Sequence, residues 1–180
     1  MLKEKVDKLV DKYLDEVISI RRHIHQNPEL SLKEFETSKF VANELRKIGL
    51  EAQEGVGKTG VVSNLNLGKG EKNLMLRADM DALPIQEETG LPFSSKNPGV
   101  MHACGHDIHT SILLGVTKVL NEIKDEINGN VKFVFQPAEE NNPVGGAPLM
   151  IKEGVLENPH VDNAVDRKST RLNSSHTPQS

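Results

Sequence analysis

Short apolar runs alternate with amphipathic stretches along this chain, and two of the runs lead into pairs of carboxylates. Asn73 to Arg77 is followed by Asp79 and Asp81. Val131-Lys132-Phe133-Val134-Phe135 leads through Pro137 into Glu139 and Glu140. Strands that alternate with helices predict an α/β layer fold, a mixed, largely parallel sheet flanked by helices. Sites in such folds lie beyond the carboxyl ends of strands, where both acidic pairs fall.

The remaining pattern fills in around these runs. Val6, Leu9, Val10, Tyr13, Leu14, Val17 and Ile18 recur at helical spacing among charges, which predicts an amphipathic helix from about Leu2 to Gln26. Asn27-Pro28 stops it. A second helix carries Phe35, Phe40, Val41 and Leu45 and ends at Gly49. Leu50 to Gln53 reads as a short strand, Gly60 to Leu67 as another, and Gly68-Lys69-Gly70 as a turn. Ala82 to Met101 is a long irregular connection, of the kind that usually serves function. A helix opens at His106 or Asp107, and a short one spans about Gly146 to Lys152.

Composition excludes several function classes. The chain has 180 residues, suited to roughly one domain, and a net charge of −4, which offers no basic footprint for nucleic acid. No apolar run approaches the roughly 18 residues needed to span a bilayer. The N-terminus, Met1-Leu2-Lys3-Glu4-Lys5-Val6-Asp7, lacks the apolar stretch of a signal peptide. A single cysteine rules out an intrachain disulfide. These features favour a cytoplasmic protein.

Met101-His102-Ala103-Cys104-Gly105-His106-Asp107-Ile108-His109 concentrates the only cysteine and three of the seven histidines. Sulfur and imidazole nitrogen at this spacing suit a transition metal. Gly105 lets the backbone turn so that Cys104 and His106 can converge. Alone, a lone cysteine is more often a small buried hydrophobe; a surface or supporting imidazole is the plainer alternative for His102 and His109, and it is the reading taken for His102. Glu139 and Glu140 are adjacent, so in an extended segment they point to different sides. One could then ligate a metal while the other handles a proton. Asp79 and Asp81 share parity, which puts both on one side of an extended segment. Arg77 could pair with either.

Taken together, Arg-Ala-Asp-Met-Asp-Ala-Leu-Pro from Arg77, Met-His-Ala-Cys-Gly-His-Asp-Ile-His-Thr from Met101 and Gln-Pro-Ala-Glu-Glu from Gln136 resemble the M20 metallopeptidase family. The match is to its amidohydrolase branch, with hippurate hydrolases, N-acyl-amino-acid amidohydrolases and auxin-conjugate hydrolases. Arg21-Arg22-His23-Ile24-His25-Gln26-Asn27-Pro28-Glu29-Leu30 fits the same branch. The resemblance implies a zinc-peptidase-like catalytic domain in which Cys104, His106 and Glu140 ligate metal and Glu139 is the general base. Asp81, Asp79, Asp107 and His109 take supporting roles. It further implies two divalent ions (zinc, manganese, cobalt or nickel), a small N-acyl amino acid as substrate, and a homodimer or higher homo-oligomer.

The resemblance covers residues 1 to about 165, read as part of a catalytic domain. Family members are roughly twice as long, with two further histidine ligands and an inserted lid and dimerisation domain. Residues 166–180 resemble the translation of a sequencing-library adapter and are expected to be disordered. The 180-residue chain alone is therefore expected to hydrolyse little. Two other readings stand beside this one. Cys104 could act as a nucleophile with His106 or His109, or the cluster could serve a non-enzymatic metal-binding domain.

Overall fold

The computed structural model describes residues 1–67, 70–141 and 143–166. Helix α1 spans Leu2–Gln26 and α2 spans Phe35–Lys47, followed by strands β1 (Gln53–Val56), β2 (Gly60–Asn66) and β3 (Asn73–Asp79). Then come α3 (His106–Glu122), β4 (Asn130–Gln136), α4 (Ala147–Lys152) and β5 (Asn163–Asp166). The five strands form one sheet in the order β1-β2-β4-β3-β5. β3 lies parallel to β4 and to β5, whereas β2 runs antiparallel to β1 and β4. β2 alone therefore opposes the common direction.

Side-chain alternation assigns the two faces of the sheet. Val61, Leu65, Val131, Phe133 and Phe135 point to one face and pack against Ile20 and Ile24 of α1, Val41 and Leu45 of α2, and Leu113 and Leu114 of α3. Each such side chain removed from water stabilises by about 1.5–3 kcal/mol. Val62 and Val134 point to the other face, where Val56, Met150 and Val155 cover them. Lys132 shares that second face and is buried. Its ammonium donates to the carbonyls of Val155 (2.6 Å) and Pro159 (2.8 Å), which straps the segment after α4 to the sheet.

Two local expectations are corrected. The strand foreseen at Leu50–Gln53 begins only at Gln53. The Leu50 N–H is taken by the Leu45 carbonyl at 3.1 Å, closing the end of α2 through Gly49, whose φ of +82° suits glycine. Asp79 is the last residue of β3, paired with Gln136, and does not lie past the strand. The foreseen turn at 68–70 and tail at 166–180 fall largely outside the described residues. Asp166 itself ends β5, accepting a hydrogen bond from Arg77 at 2.9 Å.

Because β3 and β4 are adjacent and parallel, their carboxyl ends come side by side. The N-terminus of α3 packs over β3 at that same edge. Thr110 fixes this packing by donating its hydroxyl to the Asp79 carbonyl at 2.8 Å.

Candidate metal centre

Asp81 organises the site. It is 1% exposed. Its Oδ1 accepts the Glu139 N–H and its Oδ2 the Glu140 N–H, both at 3.0 Å. Oδ2 also accepts the Ser31 hydroxyl at 2.7 Å. The Asp81 carbonyl lies 2.8 Å from His106 Nδ1. Burial works against the carboxylate, but its bonds to His106, Ser31 and the Glu140 N–H outweigh it and lower its pKa.

A carbonyl can only accept, so His106 carries its proton on Nδ1 and turns Nε2 towards the site. That nitrogen lies 3.7 Å from Asp79, 3.9 Å from Glu139 and 3.8 Å from Glu140. A second partner that fixes the tautomer and ring orientation is what a ligating histidine ordinarily has. Burial opposes a charged His106, yet the hydrogen bond to Asp81 and the charges of Asp79 and Asp81 raise its pKa to about 9. Gly105, with φ of +86°, makes the turn that opens α3 and sets His106 beside Cys104.

Two donor groupings share His106. In one, Cys104, His106 and Glu140 bring their donor atoms within 4.8 Å of one another. In the other, Asp79, His106 and His109 do the same, but Asp79 and His109 already satisfy each other at 2.6 Å. Asp79 also accepts from Arg77 at 3.2 Å. The second grouping is wholly buried, whereas Cys104 is exposed and Glu140 partly so. A metal that must meet a substrate fits the first. Its thiol, imidazole and carboxylate suit zinc, manganese, cobalt or nickel. Although the residue is exposed, partial desolvation of its thiol and a hydrogen bond with Glu140 push Cys104 up to about 11, the reverse of the lowered value that an activated cysteine nucleophile needs.

Glu139 and Glu140 do not diverge as an extended segment would have them. Both carboxylates approach His106 Nε2, because the chain turns there after Ala138, which has the left-handed φ of +52°. Asp107 faces away from the cluster. Its Oδ2 accepts from Arg21 Nε and from His25 Nδ1, each at 2.7 Å, while Oδ1 has no hydrogen-bond partner among the described residues. His102 is buried, neither ring nitrogen has a hydrogen-bond partner among the described residues, and burial lowers its pKa to about 4.

Several polar residues in this network had no legible signal in the sequence. Glu34 is fully buried, accepting from Thr59 at 2.6 Å and from the Ala138 N–H at 2.8 Å. Burial, its largest influence, raises its pKa. Glu87, from the long connection, accepts from Thr89, from the Ser95 N–H and from His25 Nε2 (3.1 Å). Neither was singled out in the sequence.

Glu87 carries a pH prediction. Burial would raise its pKa, but the bonds from Thr89, Ser95 and His25 bring it down to about 2. A depressed carboxylate contributes stability above its unfolded value near 4.3 and loses it as pH falls through the folded one. Urea unfolding midpoints should thus fall between about pH 4.3 and pH 2, and more steeply in wild type than in Glu87→Gln. Parallel profiles would count against the arrangement.

Residues 75–174 match Peptidase family M20/M25/M40. The chain is 52% identical over 156 residues to thermostable carboxypeptidase 2 of Saccharolobus solfataricus, covering 86% of this chain and 40% of that protein. It is 47% identical to the N-acyl-L-amino acid amidohydrolase of Geobacillus stearothermophilus, with 87% and 42% covered. A crystal structure from Bacillus subtilis, described as a dinuclear metal binding peptidase of the M20 family, superposes with a TM-score of 0.82. That match has 39% identity and covers 89% of this chain and 44% of the other. The chain thus spans about 40% of the length of the curated relatives it matches. The three motifs, the mixed sheet and the cluster at its carboxyl edge agree with these likenesses: the chain belongs to Peptidase family M20/M25/M40.

Proposed function

We propose that these residues build part of a two-metal centre that hydrolyses the amide bond of small N-acyl amino acids. The observation that carries this reading is the convergence of Cys104, His106 and Glu140 within 4.8 Å, with the Glu139 carboxylate beside them. Cys104, His106 and Glu140 would hold metal, which when bound lowers the pKa of water and polarises a carbonyl. Glu139 accepts the proton of the attacking water and returns it to the leaving nitrogen, giving a carboxylic acid and a free amino acid. Asp81 keeps both glutamates and His106 in place. The amidohydrolase likeness supports N-acyl amino acids, and the dinuclear relative supports two ions.

Three donors are fewer than two metals need, so further ligands would have to complete the centre. The 180-residue chain by itself accordingly has little or no activity. The whole protein would act in the cytoplasm as a homodimer or higher homo-oligomer. No described helix is long and apolar enough to cross a membrane.

One preparation of the chain tests both halves of the proposal. Titration with Co²⁺ should produce a thiolate-to-metal charge-transfer band that EDTA removes and that Cys104→Ser lacks. The same sample, loaded with Mn²⁺ or Zn²⁺, should release almost no amino acid from N-acetyl or N-benzoyl substrates. Absence of the band in wild type overturns the metal assignment. Hydrolysis at a rate typical of whole enzymes, with kcat of roughly 1–10³ s⁻¹, overturns the inactivity of the chain.

A further inference from the structure

Glu34 lies at the entry to α2, more than a hundred positions from the acidic pair, and is 0% exposed. Among the described residues, its side-chain hydrogen bonds go to Thr59 and Ala138, not to Cys104, His106 or the two glutamates. Its Oε1 instead accepts the N–H of Ala138, the residue just before Glu139, at 2.8 Å. Its Oε2 accepts the hydroxyl of Thr59, itself 1% exposed, at 2.6 Å. The next two N–H groups, of Glu139 and Glu140, go to Asp81. Three successive backbone donors are thus gripped by two buried carboxylates from distant parts of the chain.

The grip falls where the backbone is strained. Ala138 has φ of +52° and is fully buried. A residue with a Cβ adopts the left-handed region only at an energetic cost. A hydrogen bond from its N–H to a buried carboxyl oxygen works against that cost. The Ala138 carbonyl accepts the Gly146 N–H at 3.0 Å, so Glu34 supplies the side-chain tie on its N–H, and losing that tie lets Ala138 relax towards the right-handed or extended region. Relaxation there would swing Glu139 and Glu140 away from His106.

We propose that Glu34 is a positioning residue, holding Ala138 in the left-handed turn that aims the Glu139 and Glu140 carboxylates at His106 Nε2. The inference rests on the reading of Glu140 as ligand and Glu139 as base. It adds that a buried acid from the N-terminal helical layer sets their geometry through the backbone.

Co²⁺ titration of the 180-residue chain, followed by the thiolate band and checked for folding by circular dichroism, tests the role. Glu34→Ala should weaken Co²⁺ binding about 10–100-fold, the usual loss when an outer partner of a ligand is removed. Glu34→Gln should restore affinity to within about threefold, because its amide oxygen accepts the Ala138 N–H while its NH₂ donates to Thr59. Thr59→Val lowers stability but leaves the grip on Ala138, so affinity should be unchanged. If Glu34→Ala does not fold, Glu34→Asp, whose carboxylate is drawn back by one methylene, must show the same loss. Wild-type affinity in folded Glu34→Ala or Glu34→Asp overturns the role. So does a loss in Thr59→Val as large as in Glu34→Ala, since that would track stability alone. If the wild-type chain shows no thiolate band, the metal reading fails and this inference falls with it.

Discussion

Replacing Asp81 by alanine is expected to destabilise the fold by about 3–5 kcal/mol and to weaken divalent-metal binding by one to two orders of magnitude. The side chain accepts two backbone N–H groups and the Ser31 hydroxyl, and its Oδ1 lies 3.2 Å from His106 Nδ1. Every one of these partners is buried or partly buried, so each donor left without an acceptor adds its own desolvation cost, about 1–3 kcal/mol. The loss would be felt at both elements that supply ligands, because the same carboxylate ties the Glu139-Glu140 turn to the start of α3. Asp81→Asn separates charge from volume. Its amide nitrogen would face an N–H or hydroxyl donor, so binding should fall even though the cavity stays filled. Urea unfolding and Co²⁺ titration of the two variants measure this. Wild-type values for Asp81→Ala in both would show that the turn is held by something else.

Glu139→Gln should reduce hydrolysis about 10²–10⁴-fold in an active, metal-loaded protein of full family length that carries these residues. Metal affinity should change little. The argument is one of position. Glu139 and Glu140 lie at nearly equal distances from His106 Nε2, but only Glu140 groups with Cys104 and His106 closely enough to share a metal. A neutral amide at Glu139 keeps the shape and cannot take a proton. Glu140→Gln should show the opposite pattern, a loss of metal affinity that excess metal partly restores. If the two variants behave alike, the division of labour between the glutamates is wrong. If Glu139→Gln retains its rate, another group serves as base.

The larger elements of this fold were legible because their signals are local. The 3.6-residue periodicity of α1 and α3 and the apolar density of β4 need no knowledge of neighbours. The start of β1 was misplaced because Leu50, apolar enough for a strand, spends its N–H on closing α2. The two glutamates were expected to diverge because alternation is the default for extended chain. Ala138 breaks that default with a backbone conformation that its residue type does not announce.

Among the candidate site residues, Cys104 and His106 stood out by donor chemistry at close spacing, whereas Glu139 and Glu140 stood out only by following an apolar strand, and the family resemblance supplied their roles. Asp81 and His109 did so because they sit inside the same short segments. Glu34, Glu87, Ser31 and Thr59 did not. An acid in an amphipathic or irregular segment looks solvated until folding buries it, and only then does it need a partner. The sequence by itself determined the element order, the family motifs and which residue types could bind metal, since those follow from periodicity and donor chemistry along the chain. Only the tertiary structure decided that two buried carboxylates, Glu34 and Asp81, hold the backbone before and through the acidic pair. It did so because burial leaves an N–H group no water to bond to, and the nearest available acceptor then fixes where the chain must turn.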